Sequence, residues 1–247
     1  MNLRDPKYFP TISVIVPTLN EAGILPACLA SIRANVSALE TIVADGGSND
    51  ETRTIAEAAG AIVLSAPRGR GPQCRAGAQR ATAQWLLFLH ADTFLPPEAS
   101  AAIARFTRDP AAQIATFRFR FTDGGFWLNA WTRLVFFDSV FTRFGDQGIL
   151  VRRSFYETIG GFPAWPLFED VALFQRARPR TFIHWLPAYV TTSARRFRQH
   201  GLLRQKWLNV QLLVRYLAGA SPEELATRYN SGRDVSRERR DDKPAGP

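Results

Sequence analysis

Short apolar runs alternate with helix-like stretches through the first half of the chain. The apolar runs are rich in β-branched residues, which is typical of strands buried on both faces of a sheet. They are residues 12–16, 41–43, 61–64 and 85–89. Apolar positions at helical spacing between these runs predict helices over 24–32, 51–59 and 73–83. The alternation predicts right-handed βαβ units, and so an α/β fold whose mostly parallel central sheet is flanked by helices.

The pattern changes after residue 112. The predicted elements are a strand over 113–121, an aromatic-rich helix over 126–144, a strand over 148–151, a helix from Glu169, and strands over 182–186 and 189–192. A basic amphipathic helix is predicted after His200. The charged, apolar-poor stretch 231–247 predicts a disordered tail. We expect a single domain over 1–230, with one half over 11–112 and another over 113–220.

Composition limits the classes of protein that fit. The 247 residues suffice for one large α/β domain, and the net charge of +9 favours an anionic partner such as phosphorylated ligands, nucleic acid or a membrane surface. An arginine bias set by genomic base composition explains the charge equally well. Only two cysteines are present, so a disulfide framework is excluded. With no signal-peptide stretch and no run of 18 apolar residues, we expect a cytoplasmic protein.

Charged side chains follow all four early strands, where parallel strands of an open sheet gather ligands. Acids occur in the segments 17–21, 45–50 and 90–92, and two arginines occur in the segment 67–71. The chain lacks a GxGxxG fingerprint, a P-loop and an HExxH motif, so dinucleotide, P-loop and zinc-protease sites are disfavoured. A hard divalent cation held by carboxylate and by a ligand's phosphates fits this set of side chains.

The ordered motifs resemble those of family 2 glycosyltransferases of the GT-A type. They are ISVIVPTLNE (12–21), IVADGGSND (42–50), LHAD (89–92), GDQG (145–148), FEDV (168–171) and TSARR (192–196). The resemblance covers about residues 11–220 and is greatest to a soluble bacterial branch associated with radical-SAM and selenium-related genes. It implies a GT-A, Rossmann-like fold with a nucleotide-sugar-binding half (11–112) and an acceptor-binding half (113–220).

The resemblance also implies donor-binding and metal residues. Those that would bind the donor are Pro17, Thr18, Asn20, Glu21, Asp45, Gly46, Arg70, Asp92 and Arg195. Asp92 would ligate Mn²⁺ or Mg²⁺, with His90 as a second candidate ligand in place of the family's first acid. Gly46 replaces the family's usual second Asp after the second strand. With one strong carboxylate, metal affinity would come largely from the nucleotide.

The implied reaction is an inverting displacement at the anomeric carbon of a UDP-sugar, with a GDP-sugar as an alternative donor. Asp170 would be the general base and Glu169 its neighbour at the acceptor. Arg68, Arg70 or Arg195 would offset charge on the leaving diphosphate. The acceptor is not identified; an apolar or lipid molecule is one candidate, and peripheral contact with the inner face of the membrane is another role for the aromatic and basic helices.

Purely structural roles compete with some of these assignments. Asp45 and Ser48 suit a turn or a helix cap, and Glu169 with Asp170 suits the first turn of a helix, where the macrodipole favours acids.

Two other functions also compete with the glycosyltransferase interpretation. A sugar-phosphate nucleotidyltransferase would need a glycine-rich activation loop with a lysine, which is missing. A nucleic-acid binder would need a basic stripe, whereas the basic residues are dispersed, so no nucleic-acid partner is expected.

Overall fold

The computed structural model describes residues 10–121, 147–192, 211–216, 218–222 and 224–227. The predicted aromatic helix (126–144), Arg195, residues 201–210 of the predicted basic helix after His200, and the tail (231–247) lie outside the described residues. The later part of that basic helix, 211–216, is helical as predicted. None of the helices in the described ranges is long and apolar enough to cross a membrane.

One eight-stranded sheet runs through the described residues, in the order β3-β2-β1-β4-β7-β6-β8-β5. The strands are β1 (Ile12–Thr18), β2 (Glu40–Asp45), β3 (Ile62–Ser65), β4 (Trp85–Phe88), β5 (Thr93–Phe94), β6 (Ile114–Phe121), β7 (Ile149–Arg152) and β8 (His184–Thr192). The first four are parallel, β6 is parallel to β8, and only β5 and β7 run antiparallel to their neighbours. The predicted α/β fold with a mostly parallel sheet is confirmed.

Within the described residues, six helices connect these strands. They are α1 (Leu25–Asn35), α2 (Thr52–Ala58), α3 (Arg70–Arg80), α4 (Ala99–Thr107), α5 (Arg153–Thr158) and α6 (Glu169–Ala177). A further helical segment covers 211–216. Helix α3 begins at Arg70, earlier than the predicted 73–83, because Pro72 lies in its first turn, where the missing N–H costs no helical hydrogen bond.

The strands predicted over 182–186 and 189–192 form one strand, β8, so the predicted break is wrong. Pro187 lies between the two predicted strands, and proline cannot donate to a sheet ladder. In the structure Pro187 lies on an exposed part of β8 opposite a shift in pairing register between Phe117 and Arg118 of β6, where a ladder bond is not required. The strand therefore continues through the proline.

Helices cover both faces of the sheet and form two hydrophobic cores. The first core joins α1, α2 and α4 to one face, through residues such as Leu25, Val14 and Ile103. The second joins α3, α5 and α6 to the other face. A Cβ atom added to Gly77 would lie 2.4 Å from Ile15 Cγ2, so α3 needs glycine there to pack closely on β1. This close packing places the start of α3 beside the carboxyl ends of β1 and β2.

Candidate functional site

Asp45, the last residue of β2, holds the turn that follows it. Its side chain is 1% exposed and accepts hydrogen bonds from Ser48 Oγ and from the amides of Gly47 (3.2 Å) and Ser48 (3.1 Å). Arg53 Nη1 lies 3.5 Å from Asp45 Oδ2. Burial would raise the pKa of Asp45, but the hydrogen bonds from Ser48 and Gly47 outweigh it, and the pKa is lowered. The carboxylate is therefore held ionised.

The loops after β1 and β2 are locked together. Asn20 is in the left-handed region (φ 54°), its amide donates to Ser48 Oγ (2.9 Å), and its Oδ1 accepts from the Asn49 amide (2.8 Å). The Glu21 amide donates to Thr52 Oγ1 (2.9 Å). These bonds fix the 17–21 segment against the start of α2. Loops held in this way need little reordering when a ligand binds.

The sequence offers Ser48 or Asp50 as the cap of helix α2, and Ser48 does not cap it. The residue that precedes α2 is Glu51, which makes no side-chain cap bond. Asp50 acts at this position instead, since its Oδ1 accepts from the Thr52 amide (3.0 Å) and its Oδ2 accepts from the Ala22 amide (3.1 Å). Ser48 fixes the turn by bridging Asp45 and Asn20.

Gln73 of α3 ties the ends of β1 and β2 together from the second face of the sheet. Its Nε2 donates to the carbonyls of Thr18 (2.6 Å) and Ala44 (2.8 Å), and the side chain is 4% exposed. A Cβ atom at Gly46 would lie 3.1 Å from Gln73 Cδ. The Gln73 amide thus occupies the space above Gly46 and gives a physical reason for glycine at this position.

The start of α3 touches the segment that leads into α6. A Cβ atom at Gly71 would lie 2.4 Å from the carbonyl oxygen of Pro163 and 2.7 Å from that of Trp165, so only glycine fits. Tyr216 of the 211–216 helical segment packs on this segment, with its ring centroid 5.1 Å from that of Phe168 and 6.2 Å from that of Trp165. The first turns of α3 and α6 are therefore fixed next to each other.

Two carboxylates with different burial begin α6. Glu169 is buried and Asp170 is half-buried. Burial, reinforced by the nearby charge of Asp170 and opposed by that of Arg70, raises the pKa of Glu169 to about 8. The same three charges act on the buried Cys74 thiol of α3. Arg70, Glu169 and Asp170 thus form one charged group where α3 meets α6.

His90, Asp92 and Glu21 lie around Cys28 of α1. The Cys28 Sγ donates to the His90 carbonyl (3.7 Å), and burial, reinforced by the charges of Asp92 and Glu21, raises the pKa of Cys28 to about 12. Within the described ranges, no three His, Cys, Asp or Glu side chains lie together as a metal-binding group. Asp92 could give a carboxylate oxygen to a hard cation that takes its remaining ligands from phosphate oxygens, and His90 could add only a nitrogen.

The structure places most of the predicted site residues at one edge of the sheet. Thr18 Oγ1 lies 3.4 Å from Asp45 Oδ1, and both side chains are buried. The segments around Pro17 and Gly46 adjoin them, and Asp92 follows β4. Asp170 lies in the first turn of α6, which packs against the start of α3. Arg195 lies outside the described residues. The sequence analysis missed Gln73, Arg53 and Tyr216; glycine at 46 was the one signal that could have led to Gln73.

A separate cavity lies away from this edge. It has a volume of about 350 Å³ and is bounded by α3, α5 and the turn at Gly160 and Gly161, with Arg75, Arg153 and Tyr156 in its wall. None of the predicted site residues lines it. This cavity is therefore not a reason to place the chemistry there.

Curated relatives match part of the chain. A "PGL/p-HBAD biosynthesis glycosyltransferase" of Mycobacterium bovis is 37% identical over 116 residues, which is 44% of this chain and 41% of the relative. An uncharacterized glycosyltransferase of the same species is 42% identical over 82 residues, which is 33% of this chain and 36% of the relative. The chain thus matches about two fifths of the length of these relatives.

Solved structures share the fold. A mannosyltransferase of Pyrobaculum calidifontis, solved with GDP-Man and Mn²⁺, has a TM-score of 0.64 at 18% identity and covers 88% of this chain and 67% of its own. Glucosyl-3-phosphoglycerate synthase of Mycobacterium tuberculosis, solved with Mn²⁺ and UDP, has a TM-score of 0.52 at 20% identity and covers 74% and 70%. The predicted GT-A fold is confirmed.

The profile of glycosyl transferase family 2 matches residues 13–165. This span contains the locked loops, His90, Asp92 and the Gly71 contact. The narrower resemblance to the radical-SAM and selenium-associated branch is tested by none of these matches and stays a prediction. Because the profile matches more than half of the 247 residues of the chain, the chain belongs to glycosyl transferase family 2.

Proposed function

We propose that this protein transfers a sugar from a nucleotide-diphosphate sugar, preferentially a UDP-sugar, to an acceptor hydroxyl with inversion and with the help of Mn²⁺ or Mg²⁺. One observation carries the proposal. The start of α3 joins the locked loops after β1 and β2, through Gln73, to the acidic start of α6, through Gly71. Donor-binding and proton-accepting groups are thereby set along one edge of the sheet.

The donor's nucleoside lies against the loops after β1 and β2. Pro17, Thr18, Asn20 and Glu21 line one side, and the turn after Asp45 lines the other. Because Asp45 is 1% exposed and already held by its own turn, its contribution is to keep the amides of that turn in place. This rigidity favours binding, since the ordering cost is met in the free protein.

The diphosphate lies between Asp92 and the start of α3. A bound Mn²⁺ or Mg²⁺ would be held by Asp92, with His90 as the second protein ligand, and would neutralise charge on the leaving diphosphate. Arg70 is exposed at the first turn of the 11-residue helix α3, where backbone N–H groups also favour an anion. Arg195 is a further candidate for this role.

Asp170 accepts the proton of the attacking hydroxyl. It is half-buried, next to the more deeply buried Glu169, whose raised pKa keeps it protonated at neutral pH. A protonated neighbour leaves the negative charge on Asp170 and can donate a hydrogen bond to it or to the acceptor. The hydroxyl oxygen then forms the new bond to the anomeric carbon as the bond to the diphosphate breaks.

Thermal unfolding of the full chain with UDP, GDP or UMP, each with and without Mn²⁺, tests this function. A ligand at about 100 times its Kd adds about 2.7 kcal/mol, which raises the Tm of a protein of this size by roughly 5–10 °C. We expect that rise with UDP plus Mn²⁺, and a smaller one with UDP alone.

Asp92→Asn should remove the part of the rise that depends on Mn²⁺, while Asp109→Asn, an exposed acid on the loop after α4, should leave it intact. A response to oligonucleotides in place of nucleotides, or a rise with Mn²⁺ that is equal in both variants, would contradict the proposal.

A further inference from the structure

Two arginines and a tyrosine form a cluster on the neighbouring strands β6 and β8. Arg118 Nη1 donates to the Tyr189 hydroxyl (3.3 Å), and the guanidinium carbon of Arg120 lies 4.0 Å from the centroid of the Tyr189 ring. Arg118 is opposite Tyr189 in the parallel register of these strands. None of these three residues belongs to the motifs that suggested the donor site.

The cluster lies on the same sheet face as Asp170. Side chains alternate along a strand, and Phe117 and Val190 point into the first core, so Arg118, Arg120 and Tyr189 point to the opposite face. That face is covered by α3, α5 and α6 in the second core, to which Ile114 of β6 also contributes. The cluster and the start of α6 therefore lie on one side of the sheet.

The cluster also lies near the same sheet edge as Asp92. Strand β7 is antiparallel to both β4 and β6, so β6 and β8 end at the edge where β4 ends. Thr192, the last residue of β8, pairs with Thr93, which directly follows Asp92. Tyr189 is three residues before Thr192, which at about 3.3 Å per residue is a separation of roughly 10 Å along the strand.

The cluster is a concentrated and ordered positive charge. Arg120 is exposed, and in the described part of the chain no Asp or Glu side chain forms an ion pair with it. Stacking on the Tyr189 ring orients its guanidinium and leaves the N–H groups at its edge for a ligand. The hydrogen bond from Arg118, together with the charges of both arginines, lowers the pKa of the Tyr189 phenol.

We propose that Arg118 and Arg120 bind a phosphate group carried by the acceptor, and so select a phosphorylated acceptor molecule. Two guanidinium groups on one strand face match the several oxygens of a phosphate, which arginine binds through paired N–H groups. The roughly 10 Å along β8 between Tyr189 and Thr192, which pairs with the residue after Asp92, leaves room for the acceptor's hydroxyl to reach the anomeric carbon. This inference rests on the proposed transferase function, because it names the acceptor of that reaction.

Calorimetric titration of the full chain, saturated with UDP and Mn²⁺, tests the inference with the diphosphate site already filled. The soluble probe is glycerol 3-phosphate, with glycerol as its uncharged match. The membrane probe is vesicles of phosphatidic acid in phosphatidylcholine, with pure phosphatidylcholine as its match. We expect binding of at least one phosphorylated probe and of neither match; the probe that binds distinguishes a soluble from a lipid phosphate.

Arg120→Gln should weaken this binding at least tenfold, and Arg118→Gln should do the same if that variant folds. Arg105→Gln, an exposed arginine on α4 across the sheet, makes the same charge change and should have no effect. Binding of no phosphorylated probe, or equal binding by wild type and Arg120→Gln, overturns the inference. A further outcome separates the two proposals. If wild type does not bind UDP, but binds a phosphorylated probe that Arg120→Gln does not bind, the transferase function is contradicted and the phosphate site stands.

Discussion

The acids at the end of β2 and those at the start of α6 share one sheet edge, but the pKa values of Asp45 and Glu169 are shifted in opposite directions. Asp45 is surrounded by donors from Ser48, Gly47 and Arg53, and its pKa is lowered. Glu169 is buried beside another carboxylate, and its pKa is raised to about 8. Hydrogen bonds to the charged form explain the first shift, and burial with like charge explains the second.

This difference distinguishes a carboxylate that holds a turn, Asp45, from a pair suited to proton transfer, Glu169 and Asp170. A carboxylate that is already saturated with hydrogen bonds fixes a loop and keeps its charge at every physiological pH. In a pair of carboxylates that is largely buried, one carboxyl group is protonated and the other ionised at neutral pH. A general base and its neighbour need this arrangement. The comparison predicts that substitutions at the two places will fail in different ways.

Asp170→Asn should have the largest effect on transfer. Replacing the base removes proton acceptance while preserving shape, so kcat should fall by about 10²- to 10⁴-fold. UDP affinity should stay close to that of wild type, as measured by calorimetry. Glu57→Gln, an exposed acid of α2, is the control and should change neither quantity. Lost UDP binding with residual transfer would assign Asp170 to the scaffold.

Asp45→Ala should fail in the opposite way. The substitution leaves the amides of Gly47 and Ser48 and the guanidinium of Arg53 without their acceptor, which should lower the free energy of unfolding by about 3 kcal/mol. UDP binding should weaken as the turn loosens. Chemical denaturation measures the stability and calorimetry the binding. A variant as stable as wild type would show that the turn does not depend on this carboxylate.

Gly71→Ala should disturb the packing that holds the start of α6, with Glu169 and Asp170, beside the start of α3. The added methyl would meet the carbonyl oxygens of Pro163 and Trp165, so the start of α6 must shift at a cost of about 1–3 kcal/mol. Gly23→Ala is the matched control, because nothing lies within 4 Å of its added Cβ. Transfer should fall in the first variant only. Equal Tm and equal transfer rates in the two variants would mean that this contact does not position Asp170.

Glu169→Gln should have the smallest effect, seen in the pH dependence of stability. The folded-state pKa of Glu169 is raised, so its contribution is fully present below the unfolded pKa, near 4.5, and is lost as pH rises through about 8. The folded-state pKa already includes the opposing charge of Arg70, so the decline is the net effect of burial, Asp170 and Arg70. Denaturation between pH 5 and 9 should show the decline in wild type and a flatter profile in the variant; parallel profiles would contradict the raised pKa.

The sheet was predictable because its strands are local apolar runs. Residues 12–16 and 85–89 need no distant partner to be recognised as strands. The continuity of β8 was not predictable, since Pro187 is tolerated only because of a register shift opposite it on β6. Helices α4 and α5 were missed; both are short, with nine and six residues.

The candidate site was predictable where its residues follow strands directly. Asp45 and Asp92 could be placed at one edge because parallel strands end together. Gln73 and Arg118 could not, since their roles depend on contacts with carbonyls and side chains distant in sequence. The difference in pKa between Asp45 and Glu169 also required the structure, because it depends on burial and on the donors nearby.

Crystals grown with UDP and Mn²⁺ test the central claim most directly, because anomalous scattering locates the metal and the density locates the nucleotide. We predict Mn²⁺ beside Asp92, the uridine against residues 17–21 and the turn after Asp45, and the diphosphate directed toward Arg70. A nucleotide bound in the cavity between α3 and α5, or a metal far from Asp92, would contradict the account.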